Sequence, residues 1–299
     1  MNMHQLRVFC EVAETGSFSA ASEKLYVTQP AVTLQIKNLE AYYQMQFFER
    51  IGKKILLTEE GKVLLDIAKQ ILDLNRQAEE MLADLKGLSK GTVRVATSHS
   101  FADYYLPAVL KNFHKKYPKI FIQISTGNTE QIIEDTLAYK NDIAFVARHP
   151  ENDKLTAREV VSDVLVAIIP NKHKLAVREQ VTLNELNGEP LIIREQGSSE
   201  RRLVDQAFRF RRIQPLIIME SASTAAIQKM VRNGAGIGIL GEHLVRREVE
   251  DDAFKAIPFT EVEMAHKFYL VHHKEKYFSR ALKAFLEVAM DLSGKLNNA

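Results

Sequence analysis

The segment YVTQPAVTLQIKNLEAYY, residues 26–43, decides the fold of the N-terminal part of the chain. Thr28 is a suitable N-cap, and Pro30 falls in the first helical turn, where a missing amide hydrogen costs nothing. The helix is therefore predicted to begin at about residue 29, and its second face is polar with almost no acidic residues. Apolar residues recurring every three to four positions predict the buried face, which consists of Val32, Ile36, Leu39 and Tyr43.

Two shorter helices are predicted before this one, and a β-hairpin after it. The first helix spans residues 4–14 and ends at Gly16, and the second, residues 18–25, has Ser17 as its N-cap. The sequence RIGKKILL, residues 50–57, predicts two short strands around a glycine with a basic tip. A helix, a short turn and a second helix with a polar outer face form a helix-turn-helix, so residues 1–58 are predicted to bind DNA.

The side chains predicted to contact DNA lie on the third helix and on the hairpin. Glutamine can bridge N6 and N7 of adenine, lysine can reach guanine or a phosphate, and basic hairpin residues suit phosphates or the minor groove. Residues 1–60 hold a similar number of acidic and basic residues, so a helical domain that binds protein is the alternative. The candidates are Gln29, Thr33 and Lys37 on the helix, and Arg50, Lys53 and Lys54 on the hairpin.

A long amphipathic helix is predicted over residues 59–88, and we assign residues 59–90 as a linker and dimerisation helix. Its apolar residues alternate at spacings of four and three, which is typical of a coiled-coil seam. Because residues 1–58 are too small to cover so long a stripe, we expect pairing with a second copy. The alternative is a helix that lies on its own C-terminal domain. The seam consists of Ile67, Ile71, Leu74, Ala78, Met81, Leu85 and Leu88.

Residues 91–299 alternate between strand and helix patterns, which predicts two α/β lobes with a cleft between them. The first β-α-β-α-β set begins at TVRVATS, residues 92–98, and indicates a mostly parallel sheet with helices on its faces. In this set, residues 101–118 predict one amphipathic helix. A second set begins with the strand VLVAIIP, residues 164–170. The predicted division is lobe I, residues 91–163 and 267–299, and lobe II, residues 164–266.

Three predicted strand ends carry small polar residues suited to bind a ligand between the lobes. Ligands of two-lobed α/β proteins lie outside the carboxyl ends of strands, in the crevice. Two of the three stretches lead into helices, whose free amides and partial positive charge favour an anion. For Asn128 and Ser198 the alternative is a role as helix caps only. The candidates are Ser98, His99, Ser100, Thr126, Asn128, Thr129, Gly197, Ser198 and Ser199, with Arg148, Arg201 and Arg202 as additional charges.

Composition and motif content argue against several other classes. The chain has 299 residues, a formal net charge of +2 and one cysteine, so an internal disulfide is excluded, and Cys10 lies in an apolar frame typical of a core. Neither a signal peptide nor a membrane-spanning run is visible, and we expect a cytoplasmic protein. The glycine-rich residues 233–241 follow a helix and precede a strand, which is the reverse of a dinucleotide fingerprint.

Catalytic signals are also missing from the sequence. It shows no nucleophile–base pair, no metal-ligand set and no paired acids, so we expect no metal, no cofactor and no enzymatic activity. Two alternatives remain. One is a solute-binding protein of transport, which the lobes suit but which the helix-turn-helix argues against. The other is an enzyme that uses the cleft.

Two stretches closely resemble the winged helix-turn-helix of LysR-type transcriptional regulators: LRVFCEVAETGSFSAASEKLYVTQPAVTLQIKNLE, residues 6–40, and FFERIGKKILLTEEG, residues 47–61. The order that follows is similar to that family over the full length. The resemblance implies an α/β fold class with an N-terminal winged helix-turn-helix, a long linker helix and a two-lobed effector domain like a periplasmic binding protein. It also implies that Gln29, Pro30, Thr33 and Arg50 approach DNA. Thr33 stands where serine is more usual and Leu34 where a polar or basic residue is common, and both departures bear on base preference.

The resemblance has further implications for ligand and assembly. It implies that Ser98 and Ser100 contact an inducer, that contacts between C-terminal domains build a homotetramer, and that two recognition helices read an inverted repeat in double-stranded DNA. The stretches REQGSSERR, residues 194–202, and GNTEQI, residues 127–132, look most like the branch that includes regulators of sulfur assimilation and carbon fixation. That likeness does not identify the ligand, but the helix N-termini at two of the candidate stretches lead us to expect a small anionic effector that closes the lobes and changes the angle between DNA-binding pairs.

Overall fold

The structure, a computed structural model, describes residues 1–51, 54–85, 91–260 and 264–296. The chain divides into two compact units, residues 1–86 and 87–299. In the first unit the described elements are α1 (Met3–Thr15), α2 (Phe18–Lys24), α3 (Gln29–Tyr43), β1 (Phe48–Ile51), β2 (Lys54–Leu57) and α4 (Glu59–Leu85). No helix among the described residues is long and apolar enough to cross a membrane.

Local capping chemistry sets the helix boundaries of the first unit. The Ser17 hydroxyl accepts a hydrogen bond from the Ala20 amide at 3.3 Å, and Thr28 Oγ1 accepts one from the Ala31 amide at 3.4 Å, so both predicted N-caps are confirmed. Gly16 follows α1 with a φ of +61°, a left-handed conformation that glycine adopts without strain. The third helix therefore begins at the residue that the sequence predicts.

The buried face of α3 also follows the predicted pattern, except at its end. Val32, Ile36 and Leu39 are fully buried in the core of the first unit. The prediction that Tyr43 shares this buried face is wrong, because α3 ends there and the side chain stays exposed. Its ring packs edge-on against Phe47, with the centroids 6.1 Å apart.

The hairpin and α4 complete this unit. Strands β1 and β2 pair antiparallel, with Arg50 opposite Ile55 and Ile51 opposite Lys54. At the start of α4, Thr58 Oγ1 accepts a hydrogen bond from the Gly61 amide at 3.0 Å, which confirms its predicted capping role. A Cβ atom at Gly61 would lie 2.2 Å from the Phe47 carbonyl oxygen, so the absence of a side chain lets the hairpin approach the helix.

Apolar side chains project from two sides of α4. One set packs with the N-terminal helices and consists of Leu64, Leu65, Ala68, Ile71 and Leu72. The second set is exposed and consists of Val63, Ile67, Leu74, Ala78, Met81 and Leu82. The predicted seam is therefore largely exposed within one chain, and Ile71 is the seam residue that faces the core. The Leu85 side chain and Leu88 lie outside the described residues.

In the second unit, strands and helices alternate as predicted. The elements are β3 (Gly91–Ser98), α5 (His99–Tyr104), α6 (Leu106–Lys116), β4 (Ile120–Gly127), α7 (Thr129–Leu137), β5 (Ile143–Val146), β6 (Leu155–Ile169), β7 (Pro190–Arg194), α8 (Ser199–Phe210), β8 (Leu216–Ser221), α9 (Thr224–Arg232), β9 (Ile237–Gly241), α10 (Glu242–Glu250), β10 (Lys255–Ile257), β11 (Ala265–His273) and α11 (Arg280–Leu296).

The described strands of this unit form one continuous mixed sheet in the order β4-β3-β5-β11-β6-β9-β7-β8, with β10 paired to β6. Pairs inside each lobe are parallel: β3 with β4 and β5, and β7 with β8 and β9. The central pairs that involve β6 and β11 are antiparallel. Strand β6 pairs with β11 up to Val164, and its second half pairs with β9 and β10, so β6 joins the strands of the two lobes.

Three details of the second unit differ from the sequence prediction. Residues 101–118 form two helices rather than one, because Pro107 lies in the first turn of α6 and lacks the amide needed to continue α5. The strand predicted from residue 164 begins earlier, at Leu155, and its first half is charged and half-exposed. Helix α10 is missing from the sequence prediction. It is highly charged and buries only Leu244 and Val245 of its residues, so its apolar residues are too few to show a helical period.

Candidate DNA-binding and effector-binding sites

The outward face of α3 is centred on residues opposite its buried stripe. Pro30, Leu34, Lys37 and Asn38 are exposed. Predicted contact residues also flank this centre. The Gln29 side-chain oxygen accepts a hydrogen bond from the Ser19 hydroxyl at 3.2 Å, which orients its amide group from the neighbouring helix.

Thr33 has a different environment from the other predicted contacts on α3. Its hydroxyl donates to the Gln29 carbonyl oxygen at 3.0 Å, and the side chain is half-buried. Bonding back to the preceding turn leaves the hydroxyl with acceptor capacity only. The structure thus brings Gln29, Thr33 and Lys37 onto one continuous surface, with Thr33 the most recessed of them.

The hairpin presents the remaining predicted DNA contacts. Arg50 on β1 and Lys54 on β2 are both exposed, and they lie one step apart in the ladder that pairs Arg50 with Ile55 and Lys54 with Ile51. Lys53 lies outside the described residues. Because successive residues of a strand point to opposite faces, these two basic side chains extend from different faces of the hairpin, and each can contact a phosphate, as expected for the wing of a winged helix-turn-helix.

In the second unit, three of the predicted ligand segments converge where the lobes meet. Ser98 ends β3 opposite Gly127, the last residue of β4. Asn128 then caps α7 by accepting a hydrogen bond from the Gln131 amide at 2.9 Å. Gly197, from lobe II, has a φ of +84°, and a Cβ there would lie 2.7 Å from Asn128 Nδ2. The loop before α8 is therefore in direct contact with the start of α7.

Two hydrogen bonds connect the lobes at this point. The Ser199 hydroxyl donates to Thr129 Oγ1 at 3.0 Å, and both residues are buried. Deeper between the lobes, Arg194 Nη1 lies 3.4 Å from the Ser100 hydroxyl oxygen. The N-termini of α5, α7 and α8 are thus held around one shared region.

Arg194 belongs to a buried charge network that the sequence analysis missed. Its Nη1 donates to Glu200 at 2.7 Å and lies 3.4 Å from Thr224 Oγ1, and its Nε donates to Glu195 at 3.0 Å. Although burial opposes the charge, the two carboxylates raise the pKa of Arg194 above its ordinary value. The detectable signal was an Arg-Glu pair at the end of the apolar run PLII, since a charge there must find partners.

Several buried polar atoms close to this network have no hydrogen-bond partner among the described residues. They include Ser98 Oγ, Glu200 Oε1 and both ring nitrogens of His266. Burial is the main cause that lowers the pKa of His266, although Glu200, 3.9 Å away, and Asp163 oppose it. Such groups favour water or a polar ligand as an additional partner.

Two predicted ligand residues take no part in the hydrogen bonds between the lobes described above. Thr126 is exposed on the edge strand β4, in register with Thr97. His99 is half-buried in the first turn of α5. Ser198 precedes α8 but makes no side-chain capping bond, whereas Asn128 does act as a cap.

Two adjoining grooves open beside the Ser199–Thr129 contact, with volumes of about 240 and 270 Å³. Both are lined by Arg148, Ser199, Arg202 and Gln206. Arg201 also lines the first groove, but it is held by Asp205 at 2.9 Å and Glu220 at 2.8 Å. Among the described residues, no carboxylate lies within 4.0 Å of the Arg148 or Arg202 guanidinium. Carboxylates also line the grooves, Glu130 and Asp205 in the first and Glu151 in the second, but these two arginines keep guanidinium groups that an anion can use.

A winged helix-turn-helix followed by a two-lobed α/β domain defines the class of ligand-responsive DNA-binding regulators. Residues 3–62 match the bacterial regulatory helix-turn-helix family of LysR type, and residues 86–293 match the LysR substrate binding domain. The chain belongs to the LysR family of transcriptional regulators, and it combines a DNA-binding part with an effector-binding domain.

Named relatives support this membership along the whole chain. The transcriptional activator CmpR of Synechocystis sp. is 35% identical over 285 residues, which cover 95% of this chain and 93% of CmpR. The RuBisCO operon regulator of Allochromatium vinosum is 29% identical, covering 99% and 98%. CysL of Bacillus subtilis is 28% identical, covering 89% of each chain. These relatives confirm the predicted branch, and they are regulators rather than enzymes.

Solved structures show the same architecture. A full-length OxyR variant of Pseudomonas aeruginosa matches with a TM-score of 0.72 at 20% identity and covers 98% and 94% of the two chains. Full-length CbnR complexed with its target DNA matches with a TM-score of 0.66 at 22% identity over 98% and 100%. The regulatory domain of Synechocystis CcmR in complex with 2-PG matches with a TM-score of 0.63 at 26% identity over 68% and 97%.

Proposed function

We propose that this LysR-family regulator contacts double-stranded DNA through the outward face of α3 and the β1–β2 hairpin. Support comes from the exposure of these surfaces and from the basic residues that both carry. The N-terminal half of α3 faces base edges, and the hairpin contacts phosphates or the minor groove. The contact residues are Gln29, Pro30, Thr33, Lys37, Arg50, Lys53 and Lys54.

We also propose that two copies pair through α4, and that two such pairs form a homotetramer on an inverted-repeat operator. The support is the exposed apolar seam, in which the Leu74 side chain is 63% exposed in the single chain. A seam with coiled-coil spacing is stabilised by burial against an identical seam. Two recognition helices related by the dimer axis then fit two half-sites. We place this activity in the cytoplasm, where such DNA is accessible.

The effector that we propose is a small anion bound between the lobes. The contact between Ser199 and Thr129 carries this proposal, because it brings the N-termini of α7 and α8 together from opposite lobes. Both ends offer free amides and partial positive charge. Arg148 and Arg202 line the adjoining grooves and add full charges. One anion can therefore interact with both lobes at once.

The remaining candidates divide into two groups by depth. Ser98 and Ser100 are buried, Ser100 beside Arg194, and we assign both to the uncharged part of the effector. Gly197, Ser198 and Ser199 lie at the α8 N-terminus with Asn128 and Thr129 opposite, and we assign this group to the anionic part. Thr126 and His99 are outer members of the proposed site. An effector that contacts both lobes stabilises one lobe arrangement over another, which is the requirement for regulation.

Isothermal titration of the full-length protein tests the anionic site. The probes are 2-PG, shikimate and inorganic phosphate, with glucose as a neutral comparison. We expect an anionic probe to bind and R202A to weaken it about tenfold or more, because a charge-assisted hydrogen bond is worth roughly 1.5–3 kcal/mol. R246A is the matched control, since Arg246 is an exposed arginine on α10 outside both grooves. Binding of glucose alone, or equal binding by R202A and wild type, contradicts the proposal.

A further inference from the structure

Leu34 is at the centre of the surface that α3 turns away from its own core. At about 100° per residue, position 34 lies opposite the buried positions 32 and 36, where Val32 and Ile36 are fully buried. The Leu34 side chain is 56% exposed, and it has no polar atom. Of the exposed residues that flank it, Lys37 and Asn38 are polar, and Pro30 and Ala31, one turn earlier, are apolar.

An isolated exposed leucine needs no explanation on an ordinary surface. Its position on α3 makes the difference, because insertion of this helix into a DNA groove removes the Leu34 side chain from water. Opposite an amino group or a carbonyl oxygen of a base, the leucine would leave a polar atom desolvated and unpaired, which is costly. Opposite an apolar group, the same burial is favourable.

The major groove contains one apolar group on base edges, the C5-methyl of thymine. We propose that Leu34 is a specificity-determining residue that packs against a thymine methyl in each half-site. This inference rests on the proposed placement of α3 in the major groove. Leu34 cannot form side-chain hydrogen bonds, so the base preference that it adds comes from apolar contact. Gln29 and Lys37 contact neighbouring bases or phosphates.

The energetic size of the contact follows from the methyl group alone. Burial of one methyl-sized group is worth about 0.8 kcal/mol, which corresponds to about a fourfold change in affinity per half-site at 1.36 kcal/mol per factor of ten. Cytosine at that position lacks the methyl and presents an amino group to Leu34. Replacement of thymine by cytosine should therefore weaken binding more than removal of the methyl alone.

A methyl-deletion cycle tests the proposal. Full-length protein first selects duplexes from a random library, and each thymine of the recovered duplex is then replaced singly by deoxyuridine, which removes only the C5-methyl. Fluorescence anisotropy gives the affinity of each duplex for wild type and L34A. We expect one thymine per half-site whose replacement weakens wild type about fourfold and leaves L34A unchanged.

Two further variants separate the contact from structural effects. L34N has a side chain of similar size without apolar character, and we expect it to lose the thymine preference as L34A does. M45A is the matched control, because Met45 is exposed after the end of α3, and its response to every deoxyuridine should equal that of wild type. Far-ultraviolet circular dichroism confirms that each variant is folded.

Three results would overturn the inference. They are a wild type indifferent to every deoxyuridine, an L34A variant that keeps the full wild-type loss, and an L34N variant that keeps it. Failure to recover any preferred duplex is a different result, because it contradicts the proposed sequence-specific DNA contact of α3. The Leu34 contact, which rests on that proposal, is then contradicted as well.

Discussion

The Ser199 hydroxyl donates a 3.0 Å hydrogen bond to Thr129 Oγ1 and thereby joins the first turns of α8 and α7. The two residues lie 70 positions apart in the chain and belong to different lobes. Both are buried, so loss of either hydroxyl leaves the other without this partner in a place that water reaches poorly. The bond therefore links the geometry of the proposed effector site to the stability of the contact between the lobes.

Removal of either hydroxyl of this bond should destabilise the protein, because the other hydroxyl is left buried and unpaired. We expect S199A and T129V each to lower the free energy of unfolding by about 1–3 kcal/mol. The double variant should cost less than the sum, because no unpaired hydroxyl remains. Urea titration of all four proteins measures the coupling. S198A is the control, since Ser198 makes no capping bond; additive losses would show that the hydroxyls do not interact.

His266 should make stability depend on pH. Burial lowers its pKa from the ordinary value of 6.5, so below that pH the unfolded chain takes up a proton that the folded protein refuses. As the pH decreases below 6.5, the free energy of unfolding therefore decreases by up to about 1.4 kcal/mol per pH unit until the folded-state pKa is reached. We expect H266M to lack this part of the decline in unfolding titrations between pH 7 and 5.

The comparison for His266 is H114M, because His114 is exposed on α6. Its pH dependence should follow that of wild type. Identical curves for H266M and wild type would mean that the pKa of His266 is the same in the folded and unfolded protein, and would contradict the prediction. Glu200 and Asp163, the carboxylates that face the ring, are unchanged in both variants.

Substitution of Gly61 by alanine should lower the stability of the protein, whereas the same substitution at an ordinary helical glycine raises it. Glycine to alanine in a helix interior usually stabilises by about 1 kcal/mol. In α4 the new Cβ would lie 2.2 Å from the Phe47 carbonyl oxygen, and backbone cannot move away cheaply. We expect G61A to lower the melting temperature of the DNA-binding unit and to weaken DNA binding through a displaced hairpin. A melting temperature above wild type would contradict the close packing.

The apolar seam of α4 should control assembly. L74D places a charge where we expect a second copy, and sedimentation velocity should show smaller species than wild type because a charge cannot be buried unpaired. D66L is the control, since Asp66 is an exposed residue of the same helix outside the seam. Unchanged sedimentation of L74D would favour the alternative in which the seam is covered within one chain.

Local features of the fold could be predicted from sequence because their causes are local. Ser17 and Thr28 each accept a hydrogen bond from an amide three residues away, and the hairpin strands lie next to each other in the chain. Such interactions depend on few residues, and their patterns are specific. The break at Tyr105 was missed because the apolar spacing continues across it, although the backbone does not.

The candidate effector site was predictable only in part. Strand ends and helix starts identify Ser98, Ser100, Thr129 and Ser199, but not which of them touch. Arg194 reaches Ser100 across 94 positions, and Glu200 faces inward from a helix whose charge pattern suggests solvent. Contacts at such separations depend on how the lobes pack, and a single sequence contains no local signal for that packing.

Strands β6 and β11 pair antiparallel from the Leu155–His273 pair to the Val164–Ala265 pair, and β6 then continues into lobe II, where it pairs with β9 and β10. Their register shifts once, between Phe268 and Tyr269. A ribbon held by a continuous ladder resists sliding and separation but permits bending and twisting, and an irregularity concentrates that deformation. We therefore expect any relative movement of the two lobes to be a rotation about this strand connection, so that a ligand bound at the proposed site would change an angle between the lobes rather than the distance between them.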